Sequence, residues 1–169
     1  MTRGLIICLC VLAFAGCKKS DDAVKVVQEQ AKKDDQLIQD YITKNNLTAT
    51  KVQRGTADTT GIWYVNTATG TENALITSSS LLTVGYTGRV LGSSTVFAQT
   101  DTFHPAYRLG DMIKGWQYFF LIKSQIKKGG KVRLLIASRY AYGPYEQPLY
   151  KLPANAVLDF DIELFDVTN

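Results

Sequence analysis

Few side chains in this sequence are suited to covalent chemistry. His104 is the only histidine, and no serine sits in a Gly-x-Ser-x-Gly setting, so a Ser-His-Asp hydrolase cannot be assembled in its usual form. With one histidine and every cysteine before residue 18, a structural zinc site lacks its ligands; no metal and no cofactor is expected. The groups with something to offer are aromatic. Residues 109–120, LGDMIKGWQYFF, set Gly115-Trp116 at the start of an apolar helical run that continues through Tyr118, Phe119 and Phe120. That is too aromatic for one helix face, so the helix must be covered on most sides, and a curved sheet around Trp116 would do so.

The rest of the chain supplies such a sheet. Residues 62–65 read as a strand closed by a turn over 66–70, and 82–90 alternate apolar with small or polar residues. A Gly92-Ser93-Ser94 turn leads to a short strand at Val96-Phe97, and 99–108 read as loop. The Trp116 helix is expected to run to Lys128, with Lys127 and Lys128 at its negative end and Gly129-Gly130 as the stop. Residues 131–138 form a strand and 140–153 an aromatic, Pro-containing loop. In 157–167, Leu158, Phe160, Ile162 and Leu164 alternate with Asp159, Asp161 and Glu163, one face buried and one in water. Strands on both sides of one core helix predict an α+β fold with a twisted antiparallel sheet wrapped around that helix. An amphipathic helix over 23–45, with Val27, Ala31, Ile38, Tyr41 and Ile42 as a narrow stripe, precedes it as a spacer or docked partner; self-association through the stripe is the alternative. Ser20 or Asp21 can cap its start, and Asn45-Asn46 can end it.

A composition of 46% apolar and 20% charged residues describes a globular protein, and the net charge of +4 is not gathered into a basic stripe, so nucleic-acid binding is not expected. The N-terminus resembles a bacterial lipoprotein signal peptide: Arg3, an apolar run over 5–14 too short to span a membrane, then Ala15-Gly16-Cys17. The resemblance implies cleavage after residue 16, lipidation of Cys17 and a mature chain without a thiol. KKSDD at 18–22 is similar to the charged tether of lipoproteins that Bacteroidetes-type bacteria export to the cell surface. The expected address is the cell envelope, anchored through Cys17 to the outer membrane, on its periplasmic face or at the cell surface. The expected organisation is signal peptide 1–16, lipidated cysteine and tether 17–22, helix and linker 23–60, and domain 61–169.

Four motifs occur in order: VGYTG at 84–88, LGDMIKGW at 109–116, GGKVRLLIASRYAYG at 129–143 and LPANAVLDFDIEL at 152–164. Together they resemble the FKBP family of peptidyl-prolyl cis-trans isomerases over 62–167. The resemblance implies an apolar pocket between helix and sheet, lined by Tyr86, Phe97, Met112, Ile113, Trp116, Tyr142, Leu152 and Phe160, with Trp116 as its floor. It assigns the backbone N–H of Ile113 and the hydroxyl of Tyr142 as donors to the carbonyls flanking a proline. Tyr86, Phe97, Ile113, Trp116, Tyr142 and Phe160 form the catalytic set, and Met112 and Leu152 are substrate-binding. The implied partners are proline-containing polypeptides, with a macrolide FKBP ligand as another occupant, and the implied role is assistance in folding exported proteins.

The sequence departs from the family pattern in places. Ala98 stands where an Asp usually follows the pocket Phe and partners the pocket Tyr, leaving water or Gln99 to satisfy Tyr86. Pro105 falls where another pocket aromatic is common, with Phe103 nearby to replace it. The segment after Trp116 is longer than usual by about one helical turn. Tyr118 and Phe119 replace small residues there, which would reshape the pocket or partly fill it from behind. The alternative function is therefore an FKBP-like binding module or chaperone with weak or no isomerase activity.

Overall fold

The computed structural model describes residues 18–54, 58–72, 75–122 and 126–169; the segment read as a signal peptide and Cys17 lie outside them. Helix α1 spans Lys18–Lys44, so the segment read as a tether is already helical. The end is as expected: Asn46 takes a left-handed φ of 50°, and the Leu47 N–H closes the last turn on the Ile42 carbonyl at 3.0 Å.

The strands are β1 (Thr50–Arg54), β2 (Asp58–Ala68), β3 (Leu81–Val90), β4 (Val96–Gln99), β5 (Ala106–Arg108), β6 (Gly130–Ile136) and β7 (Leu158–Thr168). They form one 7-stranded sheet in the order β1-β2-β6-β7-β3-β4, with β5 also on β3, and every pairing is antiparallel. Two strands fall where no strand was expected. β1 lies in the segment read as linker; it carries one buried apolar residue, Val52, which is too little for a periodic signal. β5 lies in the segment read as loop and is three residues long. β2 runs through the expected turn because Asn66 and Ala68 still pair with Val132 and Lys131 across a bulge.

Helix α2 (Lys114–Ile122) follows a single 3-10 turn at Leu109–Asp111. It ends well before Lys128. Ile126 turns into the core, the Lys127 N–H bonds to the Thr69 carbonyl at 2.8 Å, and Lys128 bridges to Glu72. The Lys128 ammonium pairs with Asp166 at 2.5 Å, so it is neither a helix-end charge nor a freely solvated one. Residues 123–125, part of the longer segment noted in the sequence, lie outside the described residues.

The two sheet faces are buried by different partners. On the inner face, Trp116, Phe119 and Phe120 of α2 pack against Tyr64, Val84, Leu134, Phe160 and Ile162 in the main core. On the outer face, Ile38 of α1 forms a second cluster with Leu135, Ala137 and Val157, joined by Tyr41 and Ile42. The outer face of β7 is therefore not wholly in water: Asp159 is 2% exposed, held in a bidentate pair with Arg133 at 2.8 and 2.6 Å. Only the second half of α1 docks, and Val27, assigned to its buried stripe, is 63% exposed. Arg133 also donates to the Tyr41 hydroxyl at 2.8 Å, tying helix to sheet.

Gly115 lets α2 lie close to the sheet, since a Cβ there would stand 2.5 Å from the Cγ2 of Ile136. Helix propensity favours alanine over glycine by about 1 kcal/mol, whereas overpacking costs about 1–3 kcal/mol. Gly115→Ala should therefore lower the unfolding free energy measured in urea, and a gain in stability would mean that α2 can move away from Ile136 freely.

Candidate active site

A cavity of about 270 Å³ opens between α2 and the sheet. Tyr86 enters it from β3, Phe97 and Ala98 from β4, Tyr107 from β5 and Phe160 from β7. The turn before α2 adds Asp111, Met112 and Ile113, and α2 itself adds Trp116. Tyr142 and Tyr150 close it from the segment between β6 and β7. Seven of the eight residues expected in the lining are there. Leu152 is not: it is buried in the core, and its N–H and carbonyl pair with Gln147 at 3.1 and 2.9 Å, closing the loop that carries Tyr150.

The walls are an aromatic box built on edge contacts. Trp116, 1% exposed, meets Tyr86 at 5.6 Å and 87° and Phe160 at 5.5 Å and 89°. Phe97 meets Phe160 at 5.7 Å and Tyr150 at 6.0 Å, and Tyr150 lies 6.2 Å from Tyr142. Perpendicular rings set the positive edge of one against the negative face of another, and such pairs add about 0.5–1.5 kcal/mol beyond burial. Gly88 makes the corner possible, because a Cβ there would stand 2.7 Å from Phe160 and 2.9 Å from Phe97. The indole N–H of Trp116 has no acceptor among the described residues.

Two donors remain available beside this box. The Ile113 carbonyl accepts from the N–H groups of Trp116 and Gln117, at 3.0 and 3.3 Å, while its own N–H has no acceptor among the described residues. The side chain of Gln117 donates to the carbonyls of Gly110 and Met112, at 2.9 and 2.7 Å, and so fixes the turn that presents Ile113. The Tyr142 hydroxyl likewise has no hydrogen-bond partner among the described residues, and burial followed by nearby Tyr150 raises its pKa, keeping it a donor at neutral pH. His104 lies away from the cavity, stacked on Phe165 at 3.9 Å. Phe103 is 76% exposed and does not line the cavity.

A family model for the FKBP-type peptidyl-prolyl cis-trans isomerase matches residues 72–165, more than half of the chain. The chain belongs to the FKBP family. The FKBP-type peptidyl-prolyl cis-trans isomerase FkpA of Buchnera aphidicola subsp. Schizaphis graminum is 30% identical over 153 residues, 90% of this chain and 58% of that protein. FkpA of Escherichia coli strain K12 is 34% identical over 90 residues, 53% of this chain and 32% of that protein. The chain thus spans less than two thirds of the length of either. The crystal structure of FkpA from Escherichia coli superposes with a TM-score of 0.63 at 28% identity, covering 89% of this chain and 66% of that one. A peptidyl-prolyl cis-trans isomerase from Pseudomonas syringae pv. tomato has the same fold, with a TM-score of 0.61 at 24% identity over 84% of this chain and 96% of that one.

Departures from the FKBP pattern are resolved locally. Where the carboxylate is replaced by Ala98, the neighbour of Tyr86 is Tyr107, on the unanticipated strand β5, whose ring meets that of Tyr86 at 6.2 Å. Tyr118 and Phe119 do not fill the FKBP pocket. Tyr118 packs on Tyr140 at 5.5 Å and Phe119 on Tyr64 at 5.4 Å, and neither lines the cavity. Tyr107 and Tyr150 were legible only as aromatics in segments without periodicity.

Burial first, then Tyr107, pushes the Tyr86 pKa from 10.0 up to about 12. Between those values the unfolded chain sheds a proton that the folded one keeps, so stability falls as pH rises from 10.0 towards 12. Urea unfolding across that range should show a shallower decline for Tyr86→Phe than for the unaltered protein; equal slopes would place the titration elsewhere.

Proposed function

We propose that this chain is a peptidyl-prolyl cis-trans isomerase that acts on X-Pro bonds of polypeptide clients. The observation that carries the reading is the pair of unengaged donors, the Ile113 N–H and the Tyr142 hydroxyl, beside an aromatic-walled cavity of about 270 Å³. Rotation about an X-Pro bond must cross a barrier of about 18–20 kcal/mol because resonance holds the amide planar. The planar state is the more polar one, and water stabilises it. Moving the bond into the Trp116 box removes that hydration, while the two donors hold the flanking carbonyls and the rings accommodate the twisted amide. A reduction of roughly 4–7 kcal/mol corresponds to about a thousand- to a hundred-thousand-fold acceleration. The step needs no nucleophile, and the Ile113 N–H and the Tyr142 phenol act as donors without transferring a proton.

The test is an assay of cis-trans isomerisation of an X-Pro peptide, using the chain that begins after residue 17. Tyr142→Phe removes one hydrogen bond and should lower kcat/KM by about 2- to 10-fold with unchanged circular dichroism. Because the Tyr142 phenol is held above its ordinary range, the rate should be flat between about pH 6 and 9. A rate no faster than buffer in a folded protein would remove the enzyme reading and leave a binding module, the function that Ala98 alone would favour. A macrolide FKBP ligand should compete with the peptide for the same box.

We also propose that the protein is held at the outer membrane by acyl chains on Cys17, where it assists the folding of exported chains. Support comes from the n-region, apolar run and small residues before Cys17. No described helix is long and apolar enough to cross a membrane. Metabolic labelling with palmitate should tag the protein and fail to tag Cys17→Ser; equal labelling of both would refute the anchor.

A further inference from the structure

We propose that Asp34, on helix α1, is a positioning residue for Tyr142; the inference rests on the reading of Tyr142 as a donor to substrate. Asp34 is 2% exposed and does not line the cavity, and nothing in the isomerase chemistry uses it. Its Oδ2 accepts from both the N–H and the hydroxyl of Ser138, at 2.9 and 2.6 Å, and its Oδ1 accepts from Gln30 at 2.7 Å. Ser138 is itself 2% exposed and opens the 3-10 turn Ser138–Tyr140. The Ser138 carbonyl then accepts from the N–H of Ala141 at 2.9 Å and of Gly143 at 2.8 Å, the amides on either side of Tyr142. A single residue thus holds the backbone around the pocket phenol, and a single carboxylate holds that residue.

The sheet cannot substitute for this carboxylate. The β2–β6 ladder ends at Ile62 and Ile136, and the Ala137 N–H makes the next bond, to the Gly61 carbonyl. Ser138 lies one step beyond, where its N–H has no strand to bond. An apolar residue at position 34 would cover the site equally well but leave two buried donors unpaired, and these would pull the turn towards water. A second tie lies at the next residue: Arg139 binds Asp35 at 2.9 and 3.2 Å and the Ala31 carbonyl at 3.2 Å. Helix α1 therefore acts as a splint on the turn that aims Tyr142.

The experiment uses the full chain and two readouts. In Asp34→Asn, hydrogen exchange at the amides of Ala141 and Gly143 should accelerate at least tenfold relative to Ile38→Val, which weakens the same helix contact without touching Ser138. In the isomerisation assay, Asp34→Asn should lower kcat by about 3- to 10-fold in the unaltered background and less than twofold when Tyr142→Phe is already present, the non-additivity expected of residues acting through one another. Ser138→Ala, which keeps the amide bond and removes only the hydroxyl, should give a smaller change of the same kind, and it serves if Asp34→Asn does not fold. Exchange no faster than in Ile38→Val, or equal kcat losses in both backgrounds, overturns the proposal. If the unaltered protein does not catalyse, the isomerase reading fails by itself, and the exchange measurement still decides whether Asp34 holds the turn.

Discussion

Trp116 touches Tyr86 of β3 and Phe160 of β7 with two nearly perpendicular ring contacts, and this indole sets the relation of helix to sheet. Its burial depends on a close helix approach, which Gly115 permits, and on neighbouring strands that present ring edges. From that junction the cavity follows. The helix start brings Ile113 to its rim, and the sheet brings Phe97 and Tyr107 to its walls. Removing water from one apolar corner and leaving two donors at its edge are consequences of the same packing.

Much of this was legible in the sequence because long-range partners carried local signatures. The alternation in β7 and the aromatic run at Trp116 each announced an element, and the ordered motifs announced the fold and seven lining residues. What the sequence concealed lacks periodicity by nature. β1 and β5 each offer one inward residue, Val52 and Tyr107, and a single residue has no period. The placing of Tyr107 beside Tyr86 was hidden for the same reason: it joins two strands through a ring contact that sequence spacing does not encode. The helix end near Lys128 was misplaced because lysines beside Gly-Gly suit a helix terminus equally well as a salt bridge to a distant Asp166.

The outer face of the sheet is organised by charge rather than by size. Asp159 and Asp34 are almost fully buried, yet each is met by several donors: Arg133 for the first, Ser138 and Gln30 for the second. Hydrogen bonding with Asp159 also holds the Arg133 guanidinium above its ordinary pKa. Buried ions contribute little net stability when compared with apolar packing, but removing one partner is costly, so they define a single way for α1 to lie on the sheet. The inner face is specified by ring geometry and the outer face by matched donors and acceptors.

The position of β7 in the sheet has a consequence for when the protein can fold. It lies between β6 and β3, pairing Leu81 with Thr168 and Gly130 with Leu164. Without it the sheet separates into β1-β2-β6 on one side and β3-β4-β5 on the other, and Trp116 loses Phe160. A nascent chain emerging from the N-terminus can make α1 and hairpins, but the floor and walls of the pocket come together only once β7 has arrived. Such distant pairings must overcome a large loop-closure entropy before they are rewarded, which makes closure the slow event. The pocket is thus the last part of the fold to exist, since its walls stay apart until β7 has paired with both neighbours.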